Sequence, residues 1–147
     1  MTTDLESAVS AWPGVVAGPH RFAGTEFTVG GREFGHVHGT RQVDIPFPKG
    51  VRDAVVDEGR TSKHHLYPDS GWVTKYLHAE SDVEQAVWLL RLSYLLHVAA
   101  LQRRPDAEEA IRAVDVAAET AAMDLSAGLR EMFAARTGGR TRRASDA

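Results

Sequence analysis

The sequence predicts an α+β domain: an antiparallel sheet of four to five strands with a long helix packed across one face. Three observations predict it. Short strand-like runs fill residues 14–46, separated by Gly and Pro at links too short for crossover connections. Gly30-Gly31, between Phe27-Thr28-Val29 and Arg32-Glu33-Phe34, has the form of a two-residue hairpin turn, because both positions tolerate positive φ. Residues 81–103 carry a wide apolar stripe of Val83, Ala86, Val87, Leu90, Tyr94, His97 and Leu101 at helical spacing.

In chain order, residues 3–11 read as a short helix ended by Pro13-Gly14. Strands follow at about 14–18, 25–29, 32–38 and 41–46. Pro46 and Pro48 end the ladder, and Pro48 suits the first turn of a helix reaching Glu58, with Gly59 as its stop. Residues 60–71 read as a polar loop. Residues 72–78 form a further strand, on which Trp72 and Tyr76 share one face and read as core. Ser81-Asp82-Val83-Glu84 has the pattern of a capping box for the long helix. After Pro105-Asp106 a single peripheral helix is expected over 107–135, packed lightly or used between subunits in a homodimer. The organisation is thus one domain: an α+β core over 1–104, a peripheral helical segment over 105–137, and a basic, disordered tail over 138–147.

Composition narrows the chemistry. The chain has 147 residues and a formal net charge of −3, which argues against a dedicated nucleic-acid binder. With no cysteine, disulfides, thiolate catalysis and iron–sulfur clusters are excluded. The first residues lack the basic and apolar regions of a signal peptide, and no apolar run approaches membrane-spanning length. A cytoplasmic protein without membrane association is the expectation.

Candidate chemistry gathers around Gly30–Pro48. His36 and His38 are one residue apart, so on a strand both rings leave the same face, about 7 Å apart along it. Imidazole nitrogens bind zinc, nickel, copper or iron, which makes this pair the candidate ligands of a divalent transition metal. Gly30 followed by His36-Val37-His38 also resembles the start of the first cupin motif, but the glutamate and the second-motif histidine of that pattern are missing. Asp44 could supply the carboxylate from the next strand, and His64, His65 or Asp69 a further ligand from the loop. The competing account has these histidines lining a polar cleft or bonded to the backbone. Simple alternation puts Phe34 on the His36 face and Glu33 on the other.

Arg32, Arg41, Lys49 and Arg52 lie near strand ends and the helix start, where cations and free backbone N–H groups suit an anion; ordinary solvated charge is the alternative. His64-His65 with Asp69-Ser70 brings base, carboxylate and hydroxyl together, yet a Pro-Asp-Ser-Gly turn ordinarily uses Asp and Ser to cap backbone. His97, on the apolar face of the long helix, reads as a packed, hydrogen-bonded histidine.

The stretch from Trp12 to Tyr94 resembles a family of uncharacterised bacterial and fungal luciferase-domain proteins. Trp12-Pro13-Gly14, Glu26-Phe27, Gly35-His36-Val37-His38-Gly39 and Val43-Asp44-Ile45-Pro46-Phe47-Pro48 carry the likeness. So do Val51-Arg52-Asp53, His64-His65, Pro68-Asp69-Ser70-Gly71-Trp72 and Leu92-Ser93-Tyr94. That resemblance implies no light emission and supplies no catalytic residues. The path from His64-His65 through Trp72 to Leu92-Ser93-Tyr94 is similar, in architecture, to the end of MmcQ/YjbR-like proteins, which implies a small antiparallel α+β fold and a link to DNA-binding proteins. The lysine-rich strands of that family are missing here. The leading expectation is a binding domain that holds a small molecule or a protein segment in a cleft formed by His36, His38, Arg41, Asp44, His64, His65 and Asp69. A metal-dependent hydrolase or isomerase using His36 and His38 is the second. A DNA-associated or protein-interaction module is the third.

Overall fold

The four strands expected before Pro48 all form. The computed structural model describes residues 2–20, 24–39 and 41–136; the tail expected over 138–147 lies outside the described residues. After α1 (Thr2–Ser10) come β1 (Val15–His20), β2 (Gly24–Val29), β3 (Arg32–His38) and β4 (Gln42–Pro46). Next are α2 (Lys49–Asp57), β5 (Ser62–Lys63), β6 (Trp72–Tyr76) and α3 (Glu80–Gln102). The chain continues through α4 (Glu109–Arg112), α5 (Val116–Ala122) and α6 (Ala127–Arg136). The sheet is antiparallel in the order β1-β2-β3-β4-β6-β5, so it has six strands. The extra one, β5, lies inside the segment expected to be only loop.

The β2–β3 hairpin turns at Gly30 and Gly31, whose φ angles of 56° and 78° require glycine. The register then sorts side chains by face. Phe27 pairs Gly35, Val37 pairs Val43 and Ile45 pairs Val73, which defines the apolar face. Helix α3 lies on this face. Gly35 marks the closest approach, where an added Cβ would stand 2.3 Å from Leu90 Cδ2.

Helix α3 is buried on more than its expected stripe. Leu89, Leu92, Leu95 and Val98 are as buried as Leu90 and Tyr94, because α1, α4 and α5 cover the side turned away from the sheet. Each such leucine contributes about 1.5–3 kcal/mol by burial. Its N-terminus differs from the expected box. The Asp82 carboxylate accepts the His78 and Ala79 N–H groups at 2.8 and 2.9 Å, so the helix starts a turn-fraction earlier and Ser81 is not the cap.

The single helix expected over 107–135 is instead three. Asp115 caps α5 by accepting the Ala118 N–H at 3.1 Å. Asp124 takes φ 53°, and the Ser126 hydroxyl accepts the Leu129 N–H at 3.2 Å. Each break reorients the chain so that Ile111, Leu125, Leu129 and Phe133 all reach the core. Alanine-rich helical periodicity alone hid these caps.

A bulge corrects the expected parity of β3. Phe27 pairs Gly35 while Thr28 pairs Glu33, which leaves Phe34 as the extra residue. Phe34 therefore enters the core, stacked with Trp12 and Phe27 and edge-on to Tyr94. Glu33 moves to the face of His36.

Candidate metal and ligand site

The face opposite α3 carries a row of cross-strand neighbours: Glu26, His36, Asp44 and Thr74, from β2 to β6. Such partners face each other about 4.5–5.5 Å apart at Cβ. The hairpin ends add His20 and His38, and the β5–β6 loop folds His64 and His65 over the row.

Asp44 is the hub and is 1% exposed. Its Oδ2 lies 3.2 Å from His36 Nε2, 3.1 Å from His38 Nε2 and 3.5 Å from His64 Nε2. Its Oδ1 accepts the Thr74 hydroxyl at 2.8 Å. Burial works against the Asp44 charge, but the hydrogen bonds from His36 and Thr74 outweigh it and hold the carboxyl below the usual range.

The imidazoles differ in kind. His36 donates from Nδ1 to Glu33 Oε2 at 2.6 Å. Burial opposes its charge, yet hydrogen bonds to Asp44 and Glu33 push it up to about 9. His20 repeats the pattern, with Nδ1 placed 3.0 Å from Glu26 Oε1 and its ring stacked on His36 at 4.0 Å. His38 stands edge-on to both, and burial followed by the neighbouring His36 charge lowers its pKa. Ligand atoms of His20, His36 and His38 lie within 4.8 Å of one another.

His64 has the opposite polarity. Its Nδ1 accepts the N–H groups of Leu66 and Tyr67 at 3.0 and 3.1 Å, which leaves its proton on Nε2. That nitrogen faces Asp44 as a donor. Burial, the largest influence, lowers the His64 pKa and keeps the ring neutral. His65 places Nδ1 3.2 Å from Thr74 Oγ1 and is itself exposed.

Buried Arg52 fixes this loop from beneath. Its Nη1 donates to the Ser70 carbonyl at 2.6 Å, and Nε and Nη2 hold Asp53. It is therefore a positioning residue, not part of an anion site. Ser70 donates to the Tyr67 carbonyl at 2.7 Å and accepts the Trp72 N–H, as a turn cap does.

Of the seven expected cleft residues, the fold brings together His36, His38, Asp44, His64 and His65. Arg41 and Asp69 do not join them. Arg41 is exposed and engages through backbone, accepting the Leu77 N–H at its carbonyl, and Asp69 stands exposed in the turn. Trp72 and Tyr76 are not core: Trp72 packs 5.2 Å from the His36 ring as a wall of the site, and Tyr76 is 39% exposed. Val73 takes the core position between them.

The sequence reading missed His20, Glu26, Glu33 and Thr74. A hairpin of β1 on β2 was the available signal for His20 and Glu26, since it brings the end of one strand beside the start of the next. No signal marked the bulge that delivers Glu33.

The fold and site define a small antiparallel α+β domain with a histidine–carboxylate cluster on its helix-free sheet face. The model of the Luciferase domain family matches residues 31–93, from the start of β3 into α3. The expected resemblance holds over that segment, which contains His36, His38, Asp44, His64 and His65 and leaves His20 outside. No curated protein and no solved structure matches the chain. Among the described residues no helix is long and apolar enough to cross a membrane.

Proposed function

We propose that this domain binds a divalent transition-metal ion through His36, His38 and Asp44, with His20 completing the set, and uses it to hold a small oxygen-donor ligand. One observation carries the reading: two imidazole Nε2 atoms stand 3.1 and 3.2 Å from one carboxylate oxygen. Donors about 2.0–2.1 Å from a tetrahedral ion stand about 3.3 Å apart, which the His36–Asp44 and His38–Asp44 spacings match, and His20 offers a ligand atom within 4.8 Å of both histidines. The backing is also that of a metal centre. Ligating histidines commonly give their second N–H to a carboxylate, as His36 does to Glu33 and as His20 is placed to do with Glu26. Nitrogen and oxygen donors without sulfur favour zinc, nickel or iron over copper(I).

His64 is excluded as a ligand because its Nδ1 faces two backbone N–H donors and cannot carry the ring proton, so a metal at Nε2 would need an imidazolate. His36 can give up its Nε2 proton and keep the one on Nδ1 that Glu33 accepts. The His64 N–H would instead donate to an oxygen of a molecule held beside Asp44. That donor supports a second reading, a metal-dependent hydrolase, in which His64 stabilises developing charge on the substrate oxygen. A DNA-associated role has less support, since Glu26, Glu33 and Asp44 stand among the histidines of the open face.

The test is the metal content of untagged protein purified without chelators. About one equivalent of a transition metal, lost in the His36→Ala/His38→Ala double variant, is the expected result. No metal, with no thermal shift on adding zinc, nickel or iron, would leave the cluster as a metal-free polar cleft.

A further inference from the structure

A cavity lies on the α3 side of the sheet and shares no residue with the histidine cluster. It measures about 360 Å³ and opens between the start of β3, the Pro46–Pro48 link and the C-terminal turns of α3. Small-ligand sites usually run about 300–1,000 Å³. Phe47, Leu96 and Ala100 form apolar wall, and three arginines line the same space: Arg32 of β3, Arg103 at the end of α3 and Arg136 of α6.

The charge arrangement is one-sided. The chain holds 20 acidic against 17 basic residues, yet none of the cavity's lining residues is acidic. Among the described residues, none of these three arginines has a carboxylate within ion-pair distance, whereas Arg52, Arg60 and Arg91 each have one. Among the described residues the Arg103 guanidinium donates to the Arg136 carbonyl, at 3.2 Å, and to no side chain. Like charges gathered around a low-dielectric wall focus a positive potential into the cleft. His97, also in the lining, gives its Nδ1–H to the Ser93 carbonyl at 2.8 Å and so presents an acceptor nitrogen, not another cation.

We infer that this cavity binds a small monocarboxylate with an apolar body. The guanidinium forks match a carboxylate bidentately, and the Phe47–Leu96 wall takes the hydrocarbon. A phosphate ester is the poorer match, because no glycine-rich loop presents a cradle of backbone N–H groups here.

The experiment is calorimetric titration of the full chain with octanoate, octanol, acetate and inorganic phosphate. EDTA is present throughout, so that no ion at the histidine cluster can capture the carboxylate. Octanoate is expected to bind, with octanol, acetate and phosphate each weaker by about tenfold or more, since each lacks the apolar body or the carboxylate. The Arg32→Gln/Arg103→Gln variant, altered only at exposed side chains, should lose about tenfold in octanoate affinity while melting as the parent does. The His36→Ala/His38→Ala variant should bind octanoate as the parent does, whatever its metal content. Octanoate that fails to bind at millimolar concentration, octanol or phosphate that binds equally well, or an affinity indifferent to the arginine substitutions would each overturn the assignment.

Discussion

Glu33 and His36 share one face of β3, with Glu33 Oε2 2.6 Å from His36 Nδ1, because Phe34 between them is bulged out of register. The bulge does two things at once. It hands an aromatic ring to the core, and it places a carboxylate behind an imidazole whose other nitrogen faces Asp44. An uninterrupted strand would put Glu33 against α3, where a charge has no partner.

Replacing Glu33 with Gln should therefore weaken metal binding by about 10–100-fold, the usual effect of losing a carboxylate behind a ligating histidine. Competition against a chromophoric chelator measures it. Gln keeps an oxygen that can accept the His36 Nδ1–H but loses the charge that helps hold His36 protonated, so the protein should stay folded with a modest drop in melting temperature. An unchanged metal affinity would show that Glu33 does not orient His36.

His64 offers a test that separates ligand from donor. Its Nδ1 accepts two backbone N–H groups, so it should remain the Nε2–H tautomer when zinc is added. Nitrogen-15 spectra of labelled histidine read this directly. His36 and His38 should shift on zinc addition while His64 keeps an unprotonated Nδ1. A His64 Nε2 that becomes metal-bound would break the proposed ligand set.

The same residues show what the sequence could reveal. The Gly30-Gly31 turn, the run of short links and the α3 stripe are local signals, and they delivered the meander and the central helix. His36 and His38 were legible as a pair through period-two alternation. Glu33 was not, because one bulged residue reverses parity and no residue type announces it. The breaks at Asp115 and Asp124 were hidden by strong helical periodicity on both sides. The role of His64 was unreadable in principle, since it depends on which backbone N–H groups its loop turns toward the ring.

Gly35 is where the site and the core meet. A Cβ there would stand 2.3 Å from Leu90 Cδ2 and 3.4 Å from the Asp44 carbonyl. Gly35→Ala should destabilise the protein by about 1–3 kcal/mol through overpacking, read by urea unfolding. Pairing it with Leu90→Ala should recover part of the loss, because the second change opens the space the first one needs. Strictly additive losses would mean that the strain is relieved elsewhere.

His97 should give the protein an acid-sensitive increment of stability. Burial is the main cause of its lowered pKa, opposed by the hydrogen bond to the Ser93 carbonyl and assisted by Arg32. Arg103, the C-terminal cap of α3, and Arg136 on α6 line the same cavity and add positive charge. With the folded pKa below the unfolded value of about 6.5, the unfolded chain takes up the proton first. The contribution is therefore complete above about pH 6.5 and is lost as pH falls toward and through the folded pKa. The pKa values of His38 and His64 are also lowered, mainly by burial, so the diagnostic quantity is a difference. Unfolding free energies of the parent and of His97→Gln, measured in chelator from neutral to mildly acidic pH, should converge as the pH drops. A gap that stays constant or widens toward acid would mean that His97 is not held neutral in the fold.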